Sequence, residues 1–166
     1  MKKGNSNRVF LGLGSDLGNR MEHLNKACME LEKFGAIKKR SSIYESEAMG
    51  FISGHSFLNM AVEYQTDLEP NALLNNCKKI EKSQLRIESK EGYKDRTLDI
   101  DILFFNDEVF HDQSITIPHI GIPERSFVMT PLMELAPNFL HPTEQKTIAE
   151  LYLNCAKLNY LSLYHP

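Results

Sequence analysis

A chain of 166 residues with 42% hydrophobic and 25% charged content has the make-up of one globular domain and leaves little room for two. A net charge of -3 at pH 7 excludes a surface built mainly to hold duplex nucleic acid, and no apolar run approaches the length of a membrane span. The run at 9–13 is too short for a signal-peptide core, and Cys28, Cys77 and Cys155 form no C-x-x-C pair, so buried free thiols in a cytoplasmic protein are expected.

Residues 8–13 read as a buried strand ending in a tight glycine loop at Gly12 and Gly14. A helix follows, with an apolar stripe of Leu17, Met21, Leu24, Cys28, Leu31 and Phe34, an N-cap at Ser15 or Asp16 and a stop at Gly35. Residues 37–44 predict a second strand, 45–56 a Gly/Ser loop, and 57–65 a half-buried strand with Leu58, Met60, Val62 and Tyr64 on one face. Pro70 suits the first turn of a second helix carried by Leu73, Leu74, Cys77, Ile80 and Gln84, fading after Leu85. Residues 98–105 give the strongest strand signal, closed by a turn at Asn106 and Asp107. Pro118, Pro123, Pro131 and Pro137 then break the C-terminal part into short helices and loops. The order β-α-β-β-α-β plus helical segments predicts a two-layer α+β domain occupying the whole chain, 1–166.

Asp99 and Asp101 alternate with Leu98, Ile100 and Ile102, so on a strand both carboxylates leave the same face, roughly 7 Å apart at their Cα atoms. Two rigidly held oxygen donors suit Mg²⁺ shared with phosphates, while a plain solvent-facing strand surface is the alternative. Just upstream, residues 78–96 hold seven basic side chains against four acidic ones, either a phosphate-binding segment or a solvated helix face with a charged loop. His119 and Arg125 lie close enough in sequence to share a phosphate, though His119 taken alone reads first as a loop residue with a structural hydrogen bond. His23, His55, His111, His141 and His165 show no ligand spacing and read as surface residues. The glycines at 12, 14 and 18 match neither a P-loop nor a dinucleotide fingerprint. Phe57 and Asn59 share a strand face on which a flat heterocycle could stack and hydrogen-bond.

These pieces, in one fixed order, resemble the 6-hydroxymethyl-7,8-dihydropterin pyrophosphokinases from about Val9 to about Tyr152. The most specific is Arg96-Thr97-Leu98-Asp99-Ile100-Asp101; Gly12 to Ser15, Phe57 to Asn59, Arg86, Pro118-His119, Arg125 to Phe127 and Pro131-Leu132 support it. The resemblance implies a ferredoxin-like sandwich with an antiparallel sheet, packed helices and a short helical C-terminal extension. It also implies transfer of diphosphate from ATP to the pterin hydroxymethyl group in folate biosynthesis, releasing AMP. By the same resemblance, Asp99 and Asp101 hold two Mg²⁺ ions, and Arg86 and Arg96 join them as catalytic residues. Glu81, Arg86, Arg96, His119 and Arg125 bind ATP. Phe57 and Phe127 sandwich the pterin, with Asn59, Ser46, Glu47 and Met49 reading its edge. The chain departs from the family at Tyr93-Lys94-Asp95, where an aromatic-Gly-Pro step is usual, and at 45–50, where a proline-rich loop is usual.

A cytoplasmic monomer acting on ATP and the pterin, with no nucleic-acid or membrane partner, is therefore expected. Residues 86–97, poor in apolar side chains, are expected to form a lid over the triphosphate. The competing readings are a non-catalytic nucleotide-binding module, disfavoured by retention of both aspartates, and a Mg²⁺-dependent nuclease, disfavoured by the lack of a long basic stripe.

Overall fold

The computed structural model describes residues 6–46, 56–84, 97–155 and 161–166. Strand β1 (Asn7–Ser15) is central, and both neighbours run antiparallel to it: β5 (Asp99–Phe105) on one side and β4 (Phe57–Thr66) on the other. Beyond β4 lie β2 (Ala36–Arg40) and β3 (Tyr44–Ser46), and β8 (Leu161–Leu163) closes the sheet on β3. The path is β5-β1-β4-β3-β8, with β2 also on β4. A small hairpin, β6 (Phe110–His111) with β7 (Thr116–Ile117), follows β5.

Gly12 and Gly14 thus lie inside a paired strand rather than in a loop, since their ladder partners come from residues about fifty and ninety positions away: Ala61 and Asp101 for Gly12, Asn59 and Asp99 for Gly14. The strand expected at 37–44 is two short ones, and the expected loop at 45–56 begins with two residues of β3.

Helices α1 (Arg20–Leu31) and α2 (Pro70–Ser83) cover one face. Leu24, Ala27, Cys28, Leu31, Leu73, Cys77 and Ile80 pack there against Leu11, Leu13, Leu58, Met60, Val62, Ile100 and Ile102. The N-cap of α1 is Asn19, whose side chain accepts from the Glu22 N–H, and neither Ser15 nor Asp16; Leu17 and Phe34 fall outside the helix.

The other face is also covered. Helix α3 (Ser126–Leu135) and α4 (Ile148–Leu153) bury Val128, Met129, Leu132, Ile148 and Leu151 against Phe10, Ala61, Leu103 and Phe104, making three layers where two were expected. Pairing shifts from Phe10 opposite Phe104 to Leu11 opposite Ile102, so Leu103 is the extra residue of a bulge. Pro131 lies inside α3 instead of ending it: the missing N–H forgoes one bond, and burial of Pro131, Leu132 and Leu135 holds the helix together. The C-terminal part is accordingly only partly helical, since its last element is a strand. The three cysteines are free and buried as expected. His141 is buried, 3% exposed, and is no surface residue.

Candidate active site

Strand β5 sets the first pair of groups. Ile100 and Ile102 enter the α1/α2 core, which turns Asp99 and Asp101 to the α3 face, where both are half-buried. The ladder then places Asp99, Gly14, Asn59 and Tyr44 in one row across four strands, and Asp101, Gly12 and Ala61 in the next. The two glycines keep the floor between the aspartates and β4 free of side chains. A Cβ at Gly14 would lie 3.4 Å from Asn59 Oδ1, and one at Gly12 would lie 3.4 Å from the Leu103 methyls.

At the far end of this floor, Ser46 is paired with Phe57, and Asn59 Nδ2 donates to Ser46 Oγ at 2.9 Å. Asn59 is buried, while Ser46 and Phe57 are half-buried. Tyr44, in the same row, donates its hydroxyl to Glu134 Oε2 on α3 at 2.7 Å, and burial together with that carboxylate pushes the phenol up to about 12. The Ser42 N–H and hydroxyl also donate to Glu134, so α3 holds the approach to β3 through a single carboxylate.

His119 reaches the aspartates from the segment after β7. Its N–H donates to the Leu103 carbonyl at 3.0 Å, and the Gly121 N–H donates to its Nδ1 at 3.1 Å. An accepting Nδ1 leaves the proton on Nε2, which faces Asp101 Oδ1 at 4.0 Å. Arg125 and Phe127 stand at the start of α3; Arg125 is exposed, with its Cζ 5.8 Å from the centre of the half-buried Phe127 ring. A Cβ at Gly121 would come within 2.7 Å of Arg125 Nε, so the glycine leaves room for the guanidinium.

Glu81, expected near the nucleotide, carries a buried carboxylate. From α2 it accepts the Ile100 N–H at 2.8 Å, satisfying an outward-facing donor of the edge strand between the two aspartates. Beneath it, burial pushes the Cys77 thiol up to about 12, with the Glu81 and Asp101 carboxylates adding to the effect. Arg86, Arg96, Glu47 and Met49, like His55 and the expected lid at 86–97 apart from Thr97, lie outside the described residues.

Sequence reasoning missed Glu134 and the role of Gly12 and Gly14. The second was available in principle, because Gly12 and Gly14 repeat the two-residue spacing of Asp99 and Asp101 and Gly is a natural choice where a strand must leave room above itself.

Known proteins resemble the chain in sequence and in fold. The family model described as 7,8-dihydro-6-hydroxymethylpterin-pyrophosphokinase matches residues 10–137. A 2-amino-4-hydroxy-6-hydroxymethyldihydropteridine pyrophosphokinase of Aquifex aeolicus is 42% identical over 144 residues, 86% of this chain and 88% of that protein. The folate synthesis bifunctional protein of Arabidopsis thaliana is 39% identical over 128 residues, which is 76% of this chain but only 26% of that longer protein. A crystal structure of Plasmodium falciparum HPPK-DHPS superposes with a TM-score of 0.76 at 18% identity, over 92% of this chain and 46% of the other, a likeness of fold.

Proposed function

The chain belongs to the 7,8-dihydro-6-hydroxymethylpterin-pyrophosphokinase family, and from that premise we propose how its residues divide the work of moving diphosphate from ATP to 6-hydroxymethyl-7,8-dihydropterin. In this reaction the hydroxymethyl oxygen bonds to the β-phosphorus and the bridge between the α- and β-phosphorus breaks. AMP leaves with the electron pair, and the hydroxyl proton passes to solvent.

The observation that carries the division is the glycine floor, with two carboxylates at one end and an aromatic-amide pair at the other on a single sheet face. Phe57 and Asn59, with Ser46 and Phe127, take the flat pterin by stacking and edge hydrogen bonds; Glu47 and Met49 complete the set. Arg125 and the Nε2–H of His119, with Arg86 and Arg96, hold triphosphate oxygens, and Glu81 keeps β5 straight behind them. Asp99 and Asp101 fit Mg²⁺ by donor chemistry: two hard oxygens on a fixed strand, with no third Asp, Glu, His or Cys completing a protein-only cage among the described residues. Two such ions, when bound with ATP, would supply the charge neutralisation that phosphoryl transfer needs. The protein's contribution is then orientation and charge placement, with no strong base required.

The reading extends to a ferredoxin-like β-α-β-β-α-β core and to a cytoplasmic monomer; no helix among the described residues is long and apolar enough to cross a membrane. The test is AMP release from Mg-ATP with and without the pterin. Release that depends on the pterin is expected, and equal release without it would overturn the proposal.

A further inference from the structure

Arg20, the first residue of α1, donates from one guanidinium nitrogen to the Glu45 carboxylate at 2.9 Å, the Ser56 carbonyl at 2.7 Å and the Ser56 hydroxyl at 2.8 Å. That hydroxyl donates in turn to the same Glu45 oxygen at 2.5 Å. Glu45 is on β3 and Ser56 leads into β4, so one side chain ties the ends of two strands. The next residues, Ser46 and Phe57, pair with each other, and Ser46 accepts from Asn59. Because side chains alternate along β3, Glu45 points away from Ser46 and the site face, and Arg20 grips the pair from behind. Tyr164, just past β8, lies under the guanidinium, 5.9 Å from ring centre to Cζ. Tyr164 lies beyond residues 10–137, the part matched by the family model.

One helical turn on, His23 Nδ1 lies 2.8 Å from Gln84 Oε1, and Gln84 Nε2 donates to the His23 carbonyl at 3.2 Å. Thr97 Oγ1 donates to the Gln84 carbonyl at 3.1 Å, and Ser15 Oγ donates to the Thr97 carbonyl at 2.5 Å. Gln84 and Thr97 are both buried, and Thr97 stands two residues before Asp99. This second network therefore fixes the start of the aspartate strand, again from the side of α1.

We propose that the first turn of α1 is a positioning element for both substrates: Arg20 sets the β3–β4 end for the pterin, and His23, through Gln84 and Thr97, sets β5 for the metal-bound nucleotide. The inference rests on the site reading above and adds residues that touch neither substrate. Exposed ion pairs contribute little, but here one half-buried guanidinium serves three acceptors, and a misplacement of about 1 Å at a site can cost about a hundredfold.

Calorimetry of each ligand, alone and with the full-length protein, separates the two arms. Arg20→Ala is expected to raise the Kd for the pterin about tenfold and leave that for Mg-ATP within about twofold; His23→Ala is expected to do the reverse. Arg20→Lys keeps the charge on a side chain without the planar fork and should fall between, which supplies the measurement if the alanine variant does not fold. Phe57→Ala and Asn59→Ala are the benchmarks. If they weaken pterin binding and the Arg20 variants do not, the inference is wrong while the site reading stands. If neither benchmark weakens it, the site reading fails and the inference falls with it. Equal weakening of both ligands by Arg20→Ala would mark a merely structural role and also overturn the proposal.

Discussion

Asn59 and Asp99 occupy one row of the sheet, on one face, with only Gly14 between them. Two strand spacings put their backbones roughly 10 Å apart, a span suited to a heterocycle at one end and a metal-bound phosphate at the other. Gly14→Ala places a Cβ 3.4 Å from Asn59 Oδ1, an ordinary contact, and should fold and retain part of its activity. Gly14→Val adds an isopropyl group on that floor and is expected to lower kcat/KM by about a hundredfold, in keeping with the loss that a misplacement near 1 Å produces. Circular dichroism beside AMP-release kinetics checks both, and near wild-type kcat/KM for the valine variant would show that the substrates do not meet over Gly14.

Asp99→Asn and Asp101→Asn keep side-chain shape on a strand whose opposite face, Ile100 and Ile102, supplies the packing. Each is expected to melt within a few degrees of the parent, since neither opens a cavity. Each should also lose on the order of 100-fold to 1,000-fold in turnover, the scale of removing one preorganised electrostatic contact from a transition state. Saturating Mg²⁺ with wild-type turnover in either variant would remove the aspartates from the metal site.

Much of this was readable in the sequence, and the division follows physical range. Strand β5 announced itself because alternation is local, and the face carrying Asp99 and Asp101 followed from the same two-residue period. Gly12 and Gly14 looked like a turn because nothing near them in sequence shows that β4 and β5 will pair on both sides. Strand β8 was invisible for the same reason: its partner among the described residues, β3, lies more than a hundred residues earlier. Arg20 carries no signal in the sequence, since its partners Glu45 and Ser56 are 25 and 36 positions on. His141 reads as a surface residue because it has no ligand spacing to another histidine, while its burial comes from distant groups such as Phe104, whose ring meets it edge-on at 5.2 Å.

Glu81 offers a way to separate support from contact. Its carboxylate accepts the Ile100 N–H while 5% exposed, so Glu81→Ala leaves a buried donor without its acceptor at a cost of about 1–3 kcal/mol. Glu81→Gln keeps an acceptor there and should recover most of that stability. If Glu81 acts by holding β5, turnover should recover with it. Urea denaturation and AMP release on the two variants decide the matter: a glutamine variant that is stable yet inactive would show that the charge itself is used by the substrates.

His141 should make the stability of the protein depend on pH near neutrality. Its Nδ1 accepts from the Thr143 and Glu144 N–H groups at 3.3 Å each, so that nitrogen has no room for a proton. Its Nε2 is buried with no hydrogen-bond partner among the described residues, and burial holds the imidazole below its ordinary value despite the opposing pull of Glu144. The folded value is thus below the unfolded one, near 6.5. Between the two, the unfolded chain binds more protons than the folded one, so stability rises with pH across that window. The contribution is complete above about pH 6.5 and is lost as pH falls through the window toward the folded value. Melting temperatures measured from pH 5 to pH 8 should therefore climb toward neutrality in the parent protein. His141→Asn can place an amide oxygen where Nδ1 accepts and has nothing to titrate, so its melting temperature should lose that part of the slope. An unchanged slope in the asparagine variant would mean that another group governs the acid limb.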